Sequence, residues 1–455
     1  MAELARDTQV TEIAEALDER LTDLAGPQMH VTPTLGFTSS DPDRLMRSAQ
    51  LFIDADRVRS VADTSTGCAN VIYLGLLLER LATRRTKEAI LDSVLAVEEP
   101  EAHLHPVLQR QLFRALLRAE TALAVTTHSP HIAAVSPLSS LILLRATVGE
   151  GAIAANTANV ELTSGERADI ERYLDVSRAE MLFCTAAILV EGPSEAYLLP
   201  AFARVLGFDL DAYGVIVADI AGTDFAPYRT LLGAHALGVP HVIITDGDPA
   251  RQVSGTEKYV FAGLRRASKL FQDGDNAEVP LDMLIGDLVH QGASGDPTVA
   301  RLVAANRDVF VGLQTLEVDI TPLLSAEMIE AYSELAVSAI SVRRFRSAVE
   351  AVANGDADAE DRDELLRRIG NTGKGRFAQR LAAHIDVIDP STLRAAITSR
   401  DTEMRTGPPS SISTARFMEV GSYGYLFAAL DRVSWMVRGR GLRRRTVRAG
   451  RQEQQ

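Results

Sequence analysis

The sequence predicts an α/β protein, with parallel sheets covered by helices and more than one domain. Three observations carry that prediction. Apolar runs of strand length, at Ser93 to Val97, Ala122 to Thr126, Ile188 to Val190 and Val242 to Thr245, alternate with longer helical segments. Hydrophobic residues make up 46% of the chain and aromatics only 5%, an aliphatic bias that suits helix-covered sheets better than an all-β sandwich. At 455 residues the chain exceeds the roughly 250–300 at which a single core stops growing.

Taken in order, the elements begin with a polar amphipathic helix from Val10 to Leu24 and a strand at Leu51-Phe52-Ile53. A long helix from Asn70 to Arg84 and two buried strands, Ser93 to Val97 and Ala122 to Thr126, complete a first domain expected over residues 1–165. A helix near Gly165 to Phe183 leads into a second domain over 184–388, where strands and helices alternate again. Residues 389–455 read as a helical and then basic C-terminal tail. No internal repeat is visible, and the longer loops are expected at Gly286 to Pro297 and at the acidic Asn354 to Asp363.

Several classes are excluded. No run approaches the ~18 apolar residues that span a bilayer, and the N-terminus has no basic segment followed by an apolar one, so the expected location is the cytoplasm, with no membrane partner. Cys68 and Cys184 are too few for a disulfide framework or a zinc site and are expected to pack as small apolar residues. The formal charge of −14 argues against coating nucleic acid by bulk electrostatics. Arginines concentrate locally, at Arg343, Arg344 and Arg346 and in the tail from Arg438 to Arg451, where a phosphate-binding segment and a merely solvated end are equally open readings.

The chemistry lies in two acidic constellations. One strand runs into Glu191-Gly192-Pro193-Ser194-Glu195 and a later one into Asp246-Gly247-Asp248, which would gather carboxylates at the carboxyl edge of a parallel sheet. Glu195 lies one helical turn beyond Glu191, so both could face one ion. Such oxygen donors suit a two-metal site for Mg²⁺ or Mn²⁺, the device that hydrolyses phosphodiesters. The other constellation is Glu98-Glu99-Pro100-Glu101-Ala102-His103-Leu104-His105-Pro106, an acidic pair at a strand terminus suited to orienting Mg²⁺ and polarising water. His128, at the end of the next strand, is placed to sense a γ-phosphate, and Ser65 and Gly67 lie at a helix start that could contact phosphate.

In order and spacing these three features resemble the signature loop, Walker B strand and switch histidine of ABC-type ATPase heads of the SMC and RecF kind. With the downstream Glu191 and Asp246-x-Asp248 pattern, residues 30–385 or so resemble the overcoming lysogenisation defect (OLD) nucleases, in which an ATPase head is fused to a Toprim domain. The resemblance implies DNA cleavage, with a role in phage defence or DNA repair and dimerisation through the ATPase heads. It implies that Glu191 binds metal or acts as general base, and that Glu195, Asp246, Asp248 and Glu317, in Val309-Phe-Val-Gly-Leu-Gln-Thr-Leu-Glu317, complete the metal set. It also implies that Lys374, in Lys374-Gly-Arg-Phe-Ala378, stabilises charge at the phosphorus. Asp219-Ile-Ala-Gly-Thr223 resembles the glycine turn after the second Toprim strand.

The sequence departs from the family in one respect. No Gly-x4-Gly-Lys-Ser/Thr loop is present, and Gly370-Asn-Thr-Gly-Lys374 lacks the spacing and the hydroxyl. ATP is therefore expected only where a P-loop half comes from another segment or partner, the chain being a truncated or split form. The alternatives are an inactive ATPase and Toprim scaffold, or a primase- or topoisomerase-like Toprim protein.

Overall fold

The computed structural model describes residues 8–25, 32–37, 49–53, 59–88, 94–119, 121–147, 151–174, 176–248, 251–252, 259–271, 280–292, 295–397, 417–418 and 420–439. These fall into two compact units, 1–137 with 174–179, and 138–173 with 180–455. The expected domain boundary at 165 thus differs from the division seen in the packing, where residues 138–173 join the second unit.

The first unit opens with helix α1 (Thr8–Ala25), whose Leu17, Leu21 and Leu24 recur at helical spacing and are buried. Strands β1 (Pro33–Phe37), β2 (Ala49–Ile53) and β3 (Arg59–Ser60) form an antiparallel sheet. Helix α2 (Thr66–Glu88) buries Val71, Ile72, Leu74 and Leu78 in the same core as α1. Then β4 (Val94–Glu98), α3 (Pro106–Arg118) and β5 (Ala122–Thr126) make a parallel β-α-β unit, with Val94 opposite Ala122 and Glu98 opposite Thr126. Leu95, Val97, Leu123 and Val125 pack on the core, while Val94, Ala96, Ala122 and Ala124 are exposed. The expectation of two buried strands therefore holds for one face only, since parallel strands are usually covered on both. Helix α4 (Pro130–Ala133) follows, capped by the Ser129 hydroxyl.

The second unit begins with the hairpin β6 (Ile142–Thr147) and β7 (Gly151–Asn156). Instead of one helix from 165 to 183 there are α5 (Ser164–Tyr173), α6 (Val176–Ala179), which belongs to the first unit, and a 3-10 turn at Glu180–Leu182. Helix α5 buries only Ile170, too little for the apolar stripe of a long core helix. The α/β core consists of β8 (Ala186–Val190), α7 (Pro193–Val205), β9 (Val215–Asp219), α8 (Ala226–Leu232) and β10 (His241–Thr245). It continues through β11 (Arg251–Gln252), β12 (Tyr259–Val260), α9 (Ala262–Lys269), α10 (Leu281–Gln291), α11 (Thr298–Ala305) and β13 (Val309–Val311). The four main strands lie in the order β13-β10-β8-β9, all parallel. Every residue of β8 and β13 is buried, as in parallel sheets covered on both faces.

Helices α12 (Leu316–Leu335), α13 (Ala339–Asn354), α14 (Ala359–Thr372), α15 (Lys374–Ile385) and α16 (Pro390–Ile397) follow. Two expected loops are corrected. Gly286 to Gln291 belong to α10, where Ile285 and Leu288 supply an apolar stripe, and the acidic stretch is a loop only from Gly355 to Asp358, since α14 starts at Ala359 with an Asp358–Asp361 capping box. Acids favour a helix start because they complement its dipole. The final helix, α17 (Gly424–Arg438), is part of the core, with Tyr425 to Leu430 and Val433 buried. The basic tail beyond Gly439 lies outside the described residues.

Candidate active site

Four parallel strands deliver their carboxyl ends to one edge, and the register decides what meets there. Ile243 of β10 lies opposite Leu189 of β8, so Thr245 falls beside Glu191. The contact is made: the Thr245 hydroxyl donates to Glu191 Oε1, and the Asp246 backbone N–H donates to the same oxygen at 3.0 Å. On the other flank, Gly222 N–H donates to the Glu191 carbonyl at 3.0 Å, which places the 219–223 turn against the site. The left-handed residue of that turn is Ala221, with φ 52°, rather than the glycine.

The Asp246-Gly247-Asp248 turn is held from three sides. Asp246 Oδ1 accepts the Leu316 N–H at 2.9 Å, Gly247 N–H donates to the Gln314 carbonyl at 2.7 Å, and Gly263 N–H donates to the Gly247 carbonyl at 3.0 Å. Gly247 is needed for close approach: a Cβ there would stand 2.3 Å from the Gly312 carbonyl oxygen. The left-handed turn itself falls on Asp248, with φ 50°. A non-glycine residue in that region costs free energy that the packing must supply.

One cation already sits among these acids. Arg266 of α9 donates through Nη1 to Asp248 at 2.6 Å and through Nη2 to Glu191 at 3.2 Å. It also reaches the Asp246 carbonyl at 2.7 Å and, through Nε, the Thr245 hydroxyl at 3.1 Å.

Behind this group lie Glu195 and Glu317, both buried. Glu317, in the first turn of α12, accepts the Ser194 hydroxyl at 3.0 Å and stands 3.7 Å from Lys374 Nζ. Burial, with the charges of Glu317 and Glu191 added, pushes the Glu195 carboxyl up to about 8. Burial also holds Asp246 well above the usual carboxylate range, reinforced by Glu195, Glu191 and Glu317. Asp319, two residues beyond Glu317, is pushed up to about 7 by burial, although its carboxylate accepts the N–H groups of Leu313 and Gln314.

Glu191, Asp246 and Asp248 are thus linked directly or through Arg266, and Glu195, Glu317 and Lys374 lie beside them. The set fits a hard divalent cation in its chemistry: all its acids are oxygen donors, and at Glu195 and Asp246 burial beside neighbouring carboxylates raises the proton affinity, which a cation would relieve. Among the described residues, no three donors are grouped to hold an ion as they stand, and the Arg266 guanidinium lies between Glu191 and Asp248.

In the first unit, Glu98 closes β4 opposite Thr126, and Glu99 turns the chain with φ 43° while its N–H donates to the Thr126 carbonyl at 2.9 Å. Glu101 fastens the two strand ends together, its Oε1 accepting the Thr127 hydroxyl at 2.6 Å and the His128 N–H at 2.8 Å. Glu98, Glu99 and His128 therefore meet at one end of the parallel pair. Ser65 caps its own helix, its hydroxyl accepting the Cys68 N–H at 3.3 Å. Gly67 is pressed on the His103 carbonyl, which a Cβ would approach to 2.4 Å.

Arg266, Thr245, Ser194, Asp319 and Glu101 were not singled out from the sequence. Glu101 stands inside a motif already noted, and Glu317-Val-Asp319 places two acids within the apolar run Leu316 to Ile320, a sign of buried charge. Arg266 carries no such signal.

Residues 182–248 match the family model for the overcoming lysogenization defect protein-like TOPRIM domain, and residues 7–133 match an AAA ATPase domain. The chain is 26% identical over 259 residues to the OLD nuclease of Thermus scotoductus, covering 54% of this chain and 48% of that protein. It is 26% identical over 232 residues to Endonuclease GajA of Bacillus cereus, covering 50% and 38%. The solved C-terminal region of the Burkholderia pseudomallei OLD protein is 30% identical, covers 48% of this chain and 100% of that one, and superposes with a TM-score of 0.35. The chain spans about half the length, or less, of these curated relatives. An AAA-like ATPase domain followed by an OLD-like Toprim domain, together with the identity to the OLD nuclease and Endonuclease GajA, makes the chain a member of the OLD family.

Proposed function

We propose that the second unit is a divalent-metal-dependent endonuclease that hydrolyses phosphodiester bonds of DNA, nicking it or cutting both strands. The observation that carries this reading is the meeting of Glu191 with Asp246 and Asp248 at one sheet edge, linked by the 3.0 Å bond from the Asp246 N–H and by a guanidinium that touches both Glu191 and Asp248. The residues that would hold Mg²⁺ or Mn²⁺ are Glu191, Glu195, Asp246, Asp248 and Glu317, and the bound metal would supply an activated water and charge neutralisation at the leaving oxygen. Glu191, oriented by the Thr245 hydroxyl, would bind the metal or serve as the base that takes the water's proton. Lys374, at the start of α15 and half-exposed, offers its ammonium to the charge that develops on the phosphorus.

A topoisomerase reading needs a nucleophilic tyrosine, and the two tyrosines at the start of α17 do not offer one. Tyr425 is fully buried, and the Tyr423 hydroxyl donates to the Ala396 carbonyl at 3.3 Å. The first unit belongs to the same proposal as a regulatory ATPase element. ATP would bind there when another segment or partner completes the phosphate loop, with a dimer as the assembly. Action in phage defence or DNA repair is also part of it.

The test is a supercoiled-plasmid nicking assay in Mn²⁺ or Mg²⁺, comparing wild type with Asp246→Ala. Loss of nicking in the variant, with the fold intact by circular dichroism, supports the nuclease; equal cleavage by both overturns it.

A further inference from the structure

The carboxylate cluster contains its own counter-ion, Arg266, paired with two of the acids. Glu191 and Asp248 come from strand ends far apart in sequence, yet both pair with Arg266, at 3.2 and 2.6 Å. The same guanidinium also bonds the Asp246 carbonyl and the Thr245 hydroxyl. Four contacts on one planar fork give it a fixed pose, and its side chain is only 19% exposed. Its helix is anchored beside the acids through the Gly263 N–H, which bonds the Gly247 carbonyl at 3.0 Å. Arg266 was thus placed among the acids by the fold rather than by a chance surface rotamer.

We propose that Arg266 is an intrinsic plug of the metal pocket: it neutralises Glu191 and Asp248 in the metal-free protein, and divalent cations bind only by displacing it. The proposal rests on the reading of this pocket as a metal site. Two consequences follow from electrostatics. The plugged pocket gains little from a first ion until the guanidinium leaves, so metal affinity is set by a competition between two cations for the same oxygens. The Arg266 side chain, once released, moves toward solvent, because the pocket cannot hold it and the metal together.

The experiment is calorimetric titration of Mn²⁺ into the full chain, comparing wild type, Arg266→Met, Arg266→Lys and Asp246→Ala, with no substrate present. Removing a positive charge that contacts two of the ligands should tighten Mn²⁺ binding in Arg266→Met by at least ~10-fold. Arg266→Lys, which keeps the charge but not the fork, should fall between it and wild type. Asp246→Ala tests the metal reading itself and should bind weakly whatever occurs at Arg266. Unchanged or weaker binding in Arg266→Met, with Asp246→Ala still impaired, overturns the plug and leaves the metal site standing. Binding by all four proteins alike removes the metal reading and the plug together. If Arg266→Met does not fold, the Arg266→Lys titration decides: tighter binding than wild type supports the plug, and equal or weaker binding overturns it.

Discussion

Gly263 lies so near the carbonyl oxygen of Asp246 that a Cβ on it would stand 2.2 Å away, inside any allowed contact. The obstructing atoms are backbone, so no rotamer change can relieve the clash. The first turn of α9 is thereby pressed onto the Asp246-Gly247-Asp248 turn, which sets where Arg266 can reach. Gly263→Ala should therefore move the helix or the turn, at a cost of about 1–3 kcal/mol. Thermal unfolding of the variant should show a Tm lower by several degrees, and plasmid nicking should fall with it. A variant that melts and nicks like wild type would mean that α9 is free to shift without disturbing the acids.

Glu195 gives the pH dependence a definite sign. Its folded-state proton affinity is raised, to about 8, so between the ordinary carboxyl range near 4.5 and that value the folded chain holds a proton that the unfolded chain has released. Stability from this group is therefore present at low pH and lost as pH rises through that window. Asp319, pushed up to about 7, acts in the same direction over a lower range. In the presence of a chelator, Tm should fall from pH 5 to pH 8. Glu195→Gln, which carries no charge to titrate, should fall less, by roughly 2–4 °C for each kcal/mol removed. A Glu195→Gln protein whose Tm tracks wild type across that range would show that Glu195 is ionised in the fold throughout.

Lys374 separates a structural from a chemical role. Its side chain is 52% exposed and stands 3.7 Å from the buried Glu317, a loose contact from a solvated ammonium that contributes little to stability. Glu317 keeps its bond from Ser194 when the lysine is removed. Lys374→Met should leave Tm within about a degree of wild type. It should lower the nicking rate ~100-fold or more at saturating DNA, the scale seen when a transition-state charge partner is removed. A large loss of stability with little change in rate would assign Lys374 to packing instead.

How much of this was legible in the sequence depends on what kind of signal each residue left. The strands that precede Glu191 and Asp246 are short runs with apolar centres followed by acid, so their class and the shared sheet edge could be read directly. The role of Gly247 could not, because the obstruction is the Gly312 carbonyl, more than sixty residues away in the chain. Arg266 was invisible for the same reason: its partners are fixed by tertiary register, and an arginine in Gly263-Leu-Arg-Arg-Ala267 looks like any solvated helix position. The helix at Gly424–Arg438 was read as a tail because nothing local distinguishes an amphipathic end from a core helix. Its burial in the core of the second unit is a property of what packs on it.

Glu101 allows a test of the first unit that needs no nucleotide. One carboxylate oxygen accepts both the Thr127 hydroxyl and the His128 N–H, so it joins the loop after β4 to the loop after β5 and fixes His128 beside Glu98 and Glu99. Glu101→Ala would leave both donors without that acceptor, at a cost of about 1–3 kcal/mol where solvent cannot replace it. Amide hydrogen exchange read by mass spectrometry should show lost protection at His128 and its neighbours, while peptides from the parallel sheet of the second unit stay as protected as in wild type. Glu101→Gln, which keeps an oxygen acceptor at the same place, should retain most of the protection. Unchanged exchange at His128 in the alanine variant would mean that the backbone of the β5 loop, and not Glu101, sets the position of the histidine.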